Sequence, residues 1–200
     1  MQPTLPPAVL VILGVWNHMI FSREWIKSNL YADEDVIIDD PVAPNSSVVF
    51  GTESYKIFIQ ENRLNFIAIE ESPEVYGIIE KKAIEILTKL KHTPLSAFGL
   101  NFAFNFNYNA NLNSIRPITD QAYFKAQGYF EDLTLLHRTF TKDNYQLTVA
   151  INLMPYEVKV ELNTNYQVND SSLFLNLFKP GILQSKRIEV TQLIQAHYQK

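Results

Sequence analysis

Apolar and polar residues alternate along the second half of the chain. Tyr145, Leu147, Val149, Ile151 and Leu153 share one parity against Gln146, Thr148, Ala150 and Asn152, and Tyr156, Val158, Val160 and Leu162 oppose Glu157, Lys159, Glu161 and Asn163. A period of two predicts half-buried strands over 145–154 and 156–168, with one face on helices and the other in water. A further strand is expected over 132–141. The stretch NFAFNFNYNAN, residues 101–111, follows the same rule within a strand predicted over 95–108. Phe98, Leu100, Phe102, Phe104, Phe106 and Tyr108 form its core parity, and Ala97, Gly99, Asn101, Ala103, Asn105 and Asn107 the other. Its far end, uncharged and β-prone, is expected to pair with a loop or another chain.

The period changes to 3.6 once, clearly, in the first half. Val75, Ile79, Ala83, Ile86, Leu87 and Leu90 recur at helical spacing, giving one apolar stripe to lay on a sheet. Ser72 is placed to cap that helix, Pro73 suits its first turn, and Lys89, Lys91 and His92 suit its negative end before Pro94. Strands are predicted at 8–16, 47–50, 55–60 and 63–69, the last two joined by the short turn Glu61-Asn62. Ser22 can cap a short helix carrying Trp25 and Ile26. In the second half, Thr119 or Asp120 can cap another with Tyr123 and Phe124, ended by Gly128. A C-terminal helical region is broken at Lys179-Pro180-Gly181, and the last helix runs over 183–198.

The order of elements therefore repeats. Leu13-Gly14-Val15 aligns with Phe98-Gly99-Leu100 and Trp25-Ile26-Lys27 with Tyr123-Phe124-Lys125, so the expected fold is α+β, with half-domains 1–93 and 94–200. Each reads β-α-β-β-β-α. Together they form one curved antiparallel sheet with the long helices packed on one face. In architecture this arrangement resembles the saddle of TATA-binding-protein-like folds, without any sequence motif of that family, and a fold alone implies no function.

The outer parity of the sheet carries the candidate interaction surface: Asn101, Asn105, Asn107, Gln146, Thr148, Asn152, Asn163 and Asn165. Asparagine is depleted in strands, so a broad uncharged amide face is unusual. The first half differs, because Val9 to Leu13 are apolar on both parities and Leu64, Phe66 and Ala68 oppose Ile67 and Ile69. Such strands are covered on both faces, by the chain itself or by the second copy in a homodimer.

Composition narrows the function by exclusion. Hydrophobic residues make up 46% and charged residues 19% of the 200 positions, enough for a core that needs no staples. Cysteine is absent, which removes disulfides, thiol catalysis and thiolate metal sites and makes a reducing cytoplasm the default compartment. The apolar run 8–16 has no basic residue ahead of it and is too short to cross a bilayer, so no membrane association is expected. With a net charge of −4 and cations scattered singly, nucleic-acid binding is disfavoured.

Chemistry has no signature. Asp33, Glu34, Asp35, Asp39 and Asp40 could offer a cation oxygens, yet they lack the spacing of a calcium loop. His18, His92, His137 and His197 are dispersed, and His137 is expected to be buried and hydrogen-bonded on the parity of Leu133 and Leu135. Six single glycines build no phosphate cradle, Gly99 reads as a close-packing or bulge position in a long strand, and Asn45-Ser46-Ser47 and Asn169-Asp170-Ser171 match glycosylation acceptors only formally. The expectation is a non-enzymatic interaction protein without cofactor or metal, with a homodimer and an unidentified protein as partners. The alternatives are a nucleic-acid binder using the polar face, and an enzyme or small-ligand binder whose site is assembled from distant segments.

Overall fold

The structure, a computed structural model, describes residues 2–4, 8–32, 35–39, 47–107, 134–142, 144–153 and 157–198. Its strands are β1 (Gln2–Thr4), β2 (Leu10–Gly14), β3 (Ile37–Asp39), β4 (Val48–Gly51), β5 (Tyr55–Gln60), β6 (Arg63–Ala68), β7 (Leu95–Asn107), β8 (Thr134–Lys142), β9 (Tyr145–Leu153) and β10 (Glu157–Gln167). The helices are α1 (Arg23–Leu30), α2 (Pro73–Lys89), α3 (Ser171–Leu177) and α4 (Ile182–Tyr198). The helix expected over 119–128 lies outside the described residues.

All the strands join one antiparallel sheet in the order β3-β4-β5-β6-β2-β7-β10-β9-β8, with β1 beside β7 off that path. At its centre β2 meets β7, Leu10 opposite Leu100 and Ile12 opposite Phe98. Because β7 has 13 residues and β2 only 5, the longer strand overruns its neighbour. The chain's own N-terminal segment takes up the excess, with Gln2 opposite Asn105 and Thr4 opposite Ala103, while β10 follows the other edge from Ala97 to Asn107. From Ala103 to Asn105 the asparagine strand is thus paired on both sides, while residues 108–111 at its far end lie outside the described residues. Asn101 secures the junction: its backbone N–H donates to Val9 O and its side-chain Nδ2 to Ala8 O, each at 2.9 Å.

The helices cover one face. Ser22 Oγ accepts from Trp25 N and Ser72 Oγ from Val75 N, both at 3.2 Å, as the capping pattern predicts. Asp170, read in sequence only as part of a glycosylation match, caps α3 by accepting from Leu173 N at 2.7 Å. Under this layer Phe98 stacks on Tyr166 at 4.6 Å and meets Phe174 edge-on at 4.9 Å. Each such fully buried ring stabilises by roughly 1.5–3 kcal/mol.

α2 does more than lay a stripe on the sheet, since α1, α3 and α4 all pack against it. Two charged residues off the stripe are buried in consequence, Glu80 at 3% and Lys82 at 1% exposure. Lys82 Nζ donates to Leu30 O and sits 4.1 Å above the Tyr31 ring. Glu80 accepts from Gly181 N at 2.6 Å and Leu183 N at 2.7 Å, placing a carboxylate at the positive end of α4. Gly181, with φ +85°, makes the left-handed turn that breaks the helical region where the sequence predicts it. Among the described residues no helix is long and apolar enough to cross a membrane.

Candidate interaction face

The face opposite the helices encloses an open hollow of about 510 Å³, lined from Phe58 on β5 to His137 on β8. Those strands stand six places apart in the sheet. In a flat sheet that separation would be about 29 Å, so the sheet must curl for both to line one hollow. Curling also explains the doubly apolar first half. Val11, Phe58 and Ile67 are half-buried and line the hollow, whereas Leu13 and Ile69 remain 38% and 46% exposed. No second layer covers them among the described residues.

Three of the residues singled out by sequence line this hollow: Asn101, Thr148 and Asn163. Thr148 stands opposite Asn163 and Asn163 opposite Asn101, so they form one row across β9, β10 and β7. Asn101 is spent on Ala8 O. Thr148 faces Thr139, with 3.2 Å between their hydroxyl oxygens. Asn163 is exposed; its amide lies over Gly99, where an added Cβ would come within 3.2 Å of Asn163 Oδ1. Gly99 therefore makes room for that amide. Gln146, Asn152 and Asn165 share the face without lining the hollow, and Asn105 buries an Oδ1 that has no hydrogen-bond partner among the described residues. Asn107 is placed by its backbone pairing with Glu157.

His137 requires a correction. It is exposed and lines the hollow, while its neighbour Leu136 packs against the core. The register decides this, because His137 opposes Ala150 on the outer parity of β9 and Leu136 opposes core Ile151. Sequence reasoning also missed Gln60, Arg63, Asn65 and Glu161, which line the same hollow. The signal for the first three was present in the outer parity of 55–69, masked by the apolar residues beside them.

Charge in the hollow is sparse. Glu161 is held by Lys159 at 2.7 Å, and Arg63, exposed on β6, makes no ion pair among the described residues. The buried ionisable groups lie under the helices instead. Burial, reinforced by the Glu71 carboxylate, pushes the Tyr76 phenol up to about 12. Burial is the largest influence on Glu189 and on Lys186 and opposes their charge, but their mutual hydrogen bond at 2.6 Å, their attraction and the neighbouring Tyr145 together outweigh it, holding the carboxyl below and the ammonium above their usual values. Arg187 contacts Glu71 Oε1 and stands 4.3 Å from the Phe104 ring centre. Tyr145 on β9 donates to Glu189 Oε1 at 3.2 Å, so this contact and that of Arg187 with Phe104 on β7 fasten α4 to the sheet on the face away from the hollow.

No cluster of three or more metal-ligating side chains occurs among the described residues. In the acidic segment Asp39 lies 3.9 Å from Lys56 Nζ, and Asp33, Glu34 and Asp40 fall outside the described residues. Comparison with protein-family models, curated proteins and solved structures found no match to this chain.

Proposed function

We propose that this chain is a non-enzymatic interaction protein whose working surface is the open face of its sheet. The observation that carries this reading is the hollow itself, a volume of about 510 Å³ that gathers amides and apolar side chains from both halves of the chain. That size lies within the range of pockets that bind ligands. Two related half-domains account for its central position. From the β2–β7 pair the strand order reads outward in the same sense, as β6-β5-β4 on one side and β10-β9-β8 on the other, with β3 and β1 as additions that have no counterpart. A two-fold relating Leu13-Gly14-Val15 to Phe98-Gly99-Leu100 would exchange the facing pairs Ile12–Phe98 and Leu13–Ala97 and pass between them. The hollow straddles that line, as the inside of a saddle does.

Self-association belongs to the same reading but to another surface, because two concave faces cannot fill one another. Val15 and Met19, 70% and 75% exposed beyond the end of β2, are the apolar residues a second copy would cover. The working-surface claim is tested by a thermal-shift panel of peptides and metabolites on the intact chain and on Thr148→Arg, which fills the hollow. Ligands that raise the melting temperature of the first and not the second support it; equal shifts in both place binding elsewhere.

A further inference from the structure

The chemistry of the hollow narrows the partner, on the assumption that this face is the working surface. Half of its polar residues are amides, Gln60, Asn65, Asn101 and Asn163, and a side-chain amide carries the donor and acceptor of a peptide group. Asn65 and Asn163 are free to offer both, since neither makes a side-chain hydrogen bond among the described residues. Phe58, Val11 and Ile67 give the β5–β6 side an apolar wall against which side chains can pack. Of the described cations on this face, Lys159 is paired with Glu161 at 2.7 Å, and Lys56, opposite Ile67, with Asp39 at 3.9 Å. Among the described residues that leaves Arg63 without an ion pair, a planar fork matched to a carboxylate. One uncompensated guanidinium suits a single negative charge; a nucleic-acid backbone needs several.

We propose that the hollow binds an extended, carboxylate-bearing peptide segment of a protein partner, with the carboxylate on Arg63 and the main-chain amides on Asn65 and Asn163. The carboxylate can be a chain terminus or an acidic side chain. Four probes separate the possibilities on the intact chain: an N-acetylated pentapeptide of alanine, valine and serine with a free C-terminus, its C-terminal amide, the amide carrying Asp at its last position, and an oligothymidylate of ten nucleotides.

Titrations follow the side-chain amide signals of Asn65 and Asn163 by nuclear magnetic resonance. The free acid, the Asp peptide or both should move those signals, with the plain amide binding about tenfold more weakly. Arg63→Gln should erase that difference and leave the plain amide unaffected. Preference for the free acid identifies a terminus, and preference for the Asp peptide an acidic side chain; either supports the proposal. Equal binding of acid and amide overturns the carboxylate assignment while leaving the interaction face standing. Stronger shifts with the oligonucleotide overturn the peptide assignment, and no shift with any probe removes both.

Discussion

Removing the carboxylate of Glu80 should loosen the joint between α2 and α4 in a graded way. This side chain is 3% exposed and accepts from Gly181 N and Leu183 N at 2.6 and 2.7 Å. Hydrogen bonds to a charged group contribute about 1.5–3 kcal/mol each. Gly181 is exposed, so its N–H recovers water when the carboxylate is lost; Leu183 is fully buried and its N–H does not. Counting the buried bond in full and discounting the other, Glu80→Ala should cost about 3 kcal/mol. Glu80→Gln keeps one oxygen for Leu183 but sets an NH₂ against Gly181, and should cost about 1–2 kcal/mol. For a chain of this size the alanine variant should melt about 6–12 °C lower. Urea unfolding followed by circular dichroism gives both values, with the m-value unchanged if only the native state is weakened. An alanine variant within about 0.5 kcal/mol of the parent, or a glutamine variant below alanine, would refute the reasoning.

Alkaline pH should act through Tyr76. Its folded value, raised by burial from 10.0 to about 12, favours the neutral phenol, so the associated stability is complete below pH 10 and is lost as pH climbs towards 12; Tyr76→Phe should flatten that slope in urea midpoints, and an unchanged slope would contradict the assignment. Arg187→Lys keeps the charge but loses the planar contact with Phe104 and the fork for Glu71, and should cost about 1–2 kcal/mol in the same assay. Asn101→Ala removes the bond to Ala8 O for about 1 kcal/mol, and faster amide exchange at Asn101 and its neighbours should report the loosened N-terminal segment. Sedimentation velocity should show concentration-dependent dimerisation in the micromolar range that Met19→Asp abolishes; a strict monomer would remove the self-association part of the reading.

Most of the strands and the starts of α1 and α2 were legible because they follow local rules, whereas β1 and the Asp170 cap of α3 were not read. Ser22 and Ser72 cap where the pattern places them, and the break at Lys179-Pro180-Gly181 needs only the backbone preferences of those residues. His137 was misread because Leu133, Leu135 and Leu136 put apolar residues on both parities, and only pairing with β9 decides which is inside. The burial of Glu80 and Lys82 left no local signal, because their partners at Gly181, Leu183 and Leu30 are distant in sequence. Part of the site was visible as the outer row Asn101, Thr148 and Asn163. The other wall was not, since a curl bringing β5 towards β8 is a property of the whole sheet and leaves no mark on any single strand.

The central claim is that partners are received on the open face and not on the helix layer. Backbone amide shifts of the intact chain, mapped with the peptide probe that binds best, locate the contact directly. The account predicts that perturbations concentrate at Asn65, Asn101, Thr148 and Asn163, leaving Gly77, Lys81 and Gln184 on the helix side unchanged. Perturbations concentrated at Gly77, Lys81 and Gln184, with the sheet residues silent, would contradict it.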